Sequence, residues 1–425
     1  MQITIDESRL SNELAELSRF THVEPSPEGT AVTRIVFTED DLRARAWLKS
    51  LVAEEGFEIR EDAVGNTFFR WVGLEPDLPA VATGSHIDAI PHAGMYDGTV
   101  GVLGGLEAIR ALKRSGQRFR RSIELVLLTS EEPTRFGIGC LGSRLISGTL
   151  DPQKADGMRD ALETGSEGTL KKVREAAGFT GELASVKLGE GHYHAWLELH
   201  IEQGPLLERG GLPLGIVTSI AAPAGYRIIV NGLGGHAGAL LMPDRRDALC
   251  AASEIILSIE RHTLAANKAS GGVDSVATVG TCAVFPGAVN SVPSRVVLQL
   301  DIRDTDPERR EGIMRTVRSD CAEIAARREV TISEDLVNAD APAQSSSHII
   351  GVLEGICAEL RISPKKMVSR AYHDSLFMAR VAPMAMIFIP CRGGVSHRPS
   401  EYASPEDIAK GTLVLAHGLA TLASE

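Results

Sequence analysis

The scarcities of this chain narrow its possibilities first. Positive charge is in deficit, with 44 Lys and Arg against 56 Asp and Glu and a formal net charge of −12. Nucleic acid and anionic membrane surfaces are bound through clustered cations, so neither is an expected partner. No apolar run reaches the roughly 18 residues that a membrane span needs. The opening Met1-Gln-Ile-Thr-Ile-Asp-Glu-Ser lacks the basic patch and apolar core of a secretory signal. The six cysteines, Cys140, Cys250, Cys282, Cys321, Cys357 and Cys391, are dispersed without a Cys-x-x-Cys pair. A thiolate zinc site and a dithiol redox centre are therefore not expected. Free thiols in a reducing compartment follow, and a cytoplasmic location is the expectation. Repeats and low-complexity tracts are also missing, and 43% hydrophobic residues are ample for a core.

What is present is an alternation of helical and strand patterns. Segments 7–20 and 38–55 carry apolar residues at helical spacing, and short strands are predicted at 58–59, 67–71 and 81–83. Asp97-Gly98-Thr99 opens a helix over 100–115. The apolar run 123–129 is of the kind found in a parallel sheet covered on both faces, and 195–199 is a second such strand. A short helix is predicted at 169–177. From about residue 216 the texture changes: 226–231, 276–284 and 296–303 alternate like half-exposed strands, and 244–263 and 307–327 are helical. After a polar stretch at 338–347 come a helix at 349–360, a strand at 384–390 and a helix at 405–422. The predicted architecture is α/β: a mostly parallel sheet with helices on both faces, built from residues 1–214 and 333–425. A smaller α+β, ferredoxin-like domain at 215–332 interrupts it.

Ligands of open α/β sheets bind beyond the carboxyl ends of the strands. His86, Glu131, Glu132, His200 and His397 all lie at or just past such ends. His86 stands two residues before Asp88, whose carboxylate can brace the imidazole for metal binding. Asp97, at a helix start, is taken alone a helix cap. The adjacent carboxylates Glu131 and Glu132 repel at the end of an apolar strand unless a cation or proton resolves them, or unless the loop is simply solvated. With a cation, one supplies a ligand and the other a general base. Arg303 lies between Asp301 and Asp304 and, on its own, pairs with either.

Four motifs taken together carry a resemblance. Ser85-His86-Ile-Asp88 with Tyr96-Asp97-Gly98, Thr129-Ser-Glu131-Glu132-Pro133, His200-Ile-Glu-Gln203-Gly-Pro205 and Val395-Ser-His397-Arg-Pro resemble, in order, the metal motifs of hydantoinase/carbamoylase-type amidohydrolases. These belong to the aminoacylase- and carboxypeptidase-like dinuclear metallohydrolases. The resemblance implies one divalent ion on His86, Asp97 and His200 and another on Asp97, Glu132 and His397. Asp97 would bridge, Glu131 would be the base and Asp88 the brace. Manganese is the expected metal, with zinc, cobalt or nickel as alternatives.

The resemblance further makes the inserted domain a lid and dimerisation domain. There His236, in Gly234-Gly-His236-Ala-Gly, would stabilise an oxyanion in the neighbouring subunit of a homodimer, and Asn290 and Arg303 would hold a substrate carboxylate. Gln203, Tyr372 and His373 are further candidates for substrate contact, and hinges are expected at Gly210-Gly211 and 338–347. The implied activity is cleavage of the ureido C–N bond of a small ureide. Tyr372, in Ala371-Tyr-His-Asp-Ser, tilts the expectation to (S)-ureidoglycolate, a product of purine-ring breakdown, over allantoate or an N-carbamoyl-L-amino acid. A non-catalytic binding module with the same fold is the remote alternative.

Overall fold

The computed structural model describes residues 3–162 and 168–425. Its contacts divide the chain into two compact units. The larger comprises Met1–Thr218, Gln344–Met367 and His373–Glu425, and the smaller Ser219–Ala343 with Val368–Tyr372.

In the larger unit, the central strands of the main sheet lie in the order Met384–Ile389, Tyr193–Ile201, Ala80–Ser85, Ile123–Leu127, and successive neighbours in this run are parallel. Thr67–Trp71 and Glu58–Glu61 continue the sheet antiparallel on one side, and Leu214–Ile220 pairs antiparallel with Met384–Ile389 on the other. The parallel strands are buried along nearly their whole length, as their unbroken apolar runs require of a sheet covered on both faces. Helix Thr99–Arg114 packs against this sheet so closely that a Cβ on Gly101 would stand 2.5 Å from the Leu199 carbonyl oxygen. Helix Pro405–Ser424 begins with a proline in its first turn and Ser404 accepting from the Asp407 N–H, a standard opening that satisfies an orphan donor. Leu103, Leu106, Leu125, Leu197, Leu199, Ile387 and Leu415 share one buried core.

The smaller unit is a four-stranded antiparallel sheet in the order Val276–Phe285, Arg295–Asp304, Ala222–Asn231, Thr331–Ala339. Helices Ala248–Ser270 and Pro307–Arg328 close a core with the alternate residues Ile228, Val230, Leu298 and Leu300. The order is ferredoxin-like, with the unit's second and fourth strands outermost and its first and third inside.

One predicted boundary moves. The break expected at 333 falls inside the strand Thr331–Ala339, and the linker expected at 338–347 starts on its last two residues; the strand pairs with Ala222–Asn231 from Thr331 opposite Asn231 to Ala339 opposite Ala224. The smaller unit therefore runs to Ala343. This strand is an edge strand exposed along most of its length and rich in polar residues, so the apolar alternation that reveals a strand is nearly erased. None of the described helices is long and apolar enough to cross a membrane.

Candidate active site

Because the four central strands run parallel, their carboxyl ends share one edge of the sheet. His86 follows Ser85, His200 is the penultimate residue of Tyr193–Ile201, Glu131 and Glu132 lie shortly past Leu127, and His397 lies in the loop after Ile389. Ser130, Gln203 and His397 have positive φ of 56°, 54° and 60° without being glycine, so the loops at this edge hold costly backbone conformations.

Three groups form among the described residues: Glu198, His200 and His373 bring ligand atoms within 4.8 Å of one another, and two further groups share Asp97. The ligand atoms of His86, Asp97 and His200 lie within 4.8 Å of one another, as do those of Asp97, Glu132 and His397. Asp97 belongs to both: its Oδ1 is 3.2 Å from His200 Nε2 and 3.8 Å from His86 Nε2, and its Oδ2 is 3.2 Å from His397 Nε2. His397 Nε2 is also 3.2 Å from Glu132 Oε1. Glu131 stands beside the groups, with Oε2 3.8 Å from His86 Nε2. His86 and His200 donate Nδ1–H to the backbone carbonyls of Asp88 and Ile201 at 3.0 and 2.9 Å. A carbonyl only accepts, so Nδ1 carries a proton, and Nε2 is the nitrogen that faces the cluster.

Asp97 points inward because the chain turns away behind it. At Gly98 φ is +68°, and a Cβ would meet His86 Nε2 at 2.4 Å, so only glycine fits. Gly98 is also the residue that caps helix Thr99–Arg114, which sets aside the helix-cap reading of Asp97.

The charges of the cluster oppose one another. At Asp97 burial favours the neutral acid, but hydrogen bonds with His200 and His397 outweigh it and hold the carboxyl well below the usual range. At His200 burial disfavours the imidazolium, yet Asp97 lifts its pKa to about 9. Hydrogen bonds to Asp97 and Glu132 lift His397 to about 11. Glu131 moves the other way, since burial and then the charges of Glu132, Asp374 and Asp97 push its carboxyl well above the ordinary range. A buried set of carboxylates and imidazoles that draws in positive charge, with one carboxylate shared by two groups, fits a pair of divalent cations. Gln203, whose Nε2 donates to Asp97, also has a buried Oε1 without a hydrogen-bond partner.

Three of the candidate side chains have partners within the site. Asp88 does not brace His86 through its carboxylate, which is 3.6 Å from Nδ1. Its two oxygens accept instead the N–H groups of Glu131 and Glu132 at 3.2 and 3.0 Å, and so orient the carboxylate pair. Gln203, expected at the substrate, donates its amide to Asp97 Oδ2 at 2.6 Å and to Ser396 Oγ at 3.3 Å. His373 is buried with its ring packed on His200 at 4.4 Å and on Phe388 at 5.6 Å, and so backs an imidazole.

The remaining candidates lie in the smaller unit. His236 and Asn290 are neighbours on a short hairpin, where His236 pairs with Ser291 and the Asn290 carbonyl accepts the Ala237 N–H at 2.9 Å. Arg303 forks onto Asp301 through Nε and Nη2 at 2.8 and 3.1 Å, the ion pair that its sequence neighbours allowed. Its guanidinium also lies over the Tyr372 ring, 5.2 Å from the centroid.

Sequence reasoning gave Glu401 no role. Its Oε1 accepts from the N–H groups of Tyr96 and Asp97 at 2.9 and 3.1 Å, and its Oε2 from Ser396 Oγ and His397 N–H at 2.9 and 3.3 Å. One buried carboxylate thus ties the loop of Asp97 to the loop of His397. Its place in Val395-Ser-His397-Arg-Pro-Ser-Glu401 was the available signal. Glu401→Gln replaces an acceptor oxygen by a donor against four donors, and we expect divalent-ion affinity to fall about 10–100-fold, the usual loss for a group that orients ligands. Competition with a chelating dye measures this, and unchanged affinity would remove Glu401 from the site.

The fold and this donor set define a class, the metal-dependent hydrolases. Residues 82–421 match peptidase family M20/M25/M40, and the chain belongs to that family. It is 50% identical to ureidoglycolate hydrolase of Arabidopsis thaliana over 99% of this chain and 87% of that protein. It is 37% identical to N-carbamoyl-L-amino acid amidohydrolase of Geobacillus stearothermophilus over 99% of both chains. The solved structure of AtUAH in complex with (S)-hydroxyglycine superposes with a TM-score of 0.85 at 49% identity, covering 100% of this chain and 99% of that one.

Proposed function

We propose that the chain hydrolyses the ureido C–N bond of (S)-ureidoglycolate. One water yields ammonia, carbon dioxide and hydroxyglycine, and hydroxyglycine breaks down to glyoxylate and a second ammonia. The observation that carries the reaction class is the buried pair Glu131 and Glu132: one carboxylate joins a ligand group, while its neighbour lies outside both groups sharing Asp97 and is made more basic by burial, as a proton carrier would need. Likeness over the whole chain to a ureidoglycolate hydrolase supports the choice of substrate.

In this reading His86, Asp97 and His200 hold one divalent ion, and Asp97, Glu132 and His397 the other. Manganese is the favoured ion and zinc the second, with cobalt and nickel compatible with the same donors. Divalent ions held by these residues would supply Lewis acidity toward the ureido carbonyl and lower the pKa of a water at the site. Glu131 takes the proton from that water, keeps it in a carboxyl that burial has made unusually basic, and passes it to the leaving nitrogen. Asp88 fixes the direction of the pair by holding both backbone N–H groups. Arg303 and Asn290 take the substrate carboxylate, and Tyr372, against the Arg303 guanidinium, shortens the pocket. His236, from the second subunit of a homodimer, donates to the tetrahedral oxyanion. The protein acts in the cytoplasm.

Steady-state rates on (S)-ureidoglycolate, allantoate and an N-carbamoyl-L-amino acid test the choice. We expect kcat/KM for ureidoglycolate to lead by about 10²-fold, the order by which a pocket discriminates substrates that differ in size. Faster turnover of allantoate would overturn the substrate while leaving the metal centre standing.

A further inference from the structure

A buried thiol lies against the carboxyl read above as the base. Residues 140–142 fold back antiparallel beside 129–131, with the N–H groups of Cys140, Leu141 and Gly142 donating to the carbonyls of Glu131, Ser130 and Thr129 at 2.7, 2.9 and 2.8 Å. This pairing locks Cys140 in the left-handed region, φ 58°, at the entry to helix Leu141–Ser147, a conformation that costs energy in any residue with a side chain. The side chain is fully buried, and Sγ is 3.4 Å from Glu131 Oε1, within hydrogen-bonding reach of sulfur. Among the described residues no other hydrogen-bond donor reaches the Glu131 carboxyl. Its other oxygen, Oε2, is the one turned to His86.

We infer that Cys140 is a positioning residue for Glu131: its S–H donates to Oε1 and aims Oε2 at the reacting water. The inference rests on Glu131 being the base. A thiol is suited to the task because it is a weak donor. It gives the carboxyl a direction while stabilising the carboxylate little. Burial and the neighbouring Glu131 charge push the thiol pKa up, which keeps the proton on sulfur. Asp374, held by Ser143 Oγ at 2.5 Å, adds a second acidic group behind the pair.

The test compares Cys140→Ala and Cys140→Ser with Glu131→Gln, reading kcat, KM, bound metal and melting temperature of each. It also reads the S–H stretching band of the metal-free protein by infrared difference. If the thiol positions the base, Cys140→Ala lowers kcat roughly tenfold with KM within about twofold and metal content unchanged, in line with losses at residues that orient reacting groups. Cys140→Ser, which keeps a donor, recovers most of that rate. A packing role alone gives the reverse order, because alanine stays apolar and serine buries a hydroxyl. The band assigned to Cys140 shifts in Glu131→Gln, where a neutral amide replaces the carboxylate, and this reading needs no active enzyme. Equal or higher rates in Cys140→Ala than in Cys140→Ser, or a band that does not move, would overturn the inference. A dead Glu131→Gln beside a fully active Cys140→Ala rejects this inference alone, whereas an active Glu131→Gln rejects the base and this inference with it.

Discussion

Glu131→Gln should lose about 10³-fold or more in kcat while retaining its metal, because the amide keeps the size and the backbone contacts of the side chain but cannot carry the proton. The geometry supports this separation. Glu131 is a member of neither ligand group, its nearest contact with one being Oε2 at 3.8 Å from His86 Nε2. Its backbone is fixed by Asp88 and not by its own carboxyl. Two measurements on one preparation decide the matter, turnover and metal analysis. Wild-type turnover would remove Glu131 as base, and loss of metal would instead make it a ligand.

Asp97→Asn should empty both positions together. Asp97 is the residue common to the two groups, and its two oxygens face different histidines, Oδ1 toward His200 and Oδ2 toward His397. An asparagine presents an NH₂ where one of those oxygens stood, removes a negative charge from the middle of the cluster and leaves His200 and His397 without their counter-ion. Metal per subunit should fall from about two to near zero, and activity with it. A variant that keeps one tightly bound ion would show that the two groups are independent and that Asp97 does not join them. Gln203 and Ser396 also rest on Asp97 Oδ2, so thermal stability of the metal-free variant should be read alongside, to separate loss of ions from loss of fold.

Much of the site is local and therefore legible. His-x-Asp, Glu-Glu-Pro, His-x-x-Gln and Ser-His-Arg-Pro each sit within a few residues, next to an apolar strand whose burial the chain announces. The supporting groups are not local. Glu401 acts by collecting donors from residues near 96 and 396, and Cys140 by a backbone fold that returns on Glu131. Asp88 changed its part, from a brace of His86 to an acceptor for two backbone N–H groups, because whether a carboxylate reaches an imidazole two residues back depends on the turn of the chain. The polar edge strand Thr331–Ala339 is hard to read from the sequence for a different reason: exposed on most of its length, it carries little apolar alternation.

The chain by itself determined the donors. Its alternation of buried strands and helices made a parallel sheet, its acidic and imidazole residues fell at the carboxyl ends of those strands, and the missing basic and cysteine clusters closed off other chemistries. Which donors meet was decided only in three dimensions. The strand ending near residue 389 lies beside the one ending at 201, and that one beside the one ending at 85, an order unrelated to the order of the chain. Strand order is set by how helices and sheet faces bury one another, a property of the whole packed layer. That is why Asp97 could be read from its neighbours as a helix cap, and only the neighbours brought to it by the sheet make it the carboxylate shared by both groups.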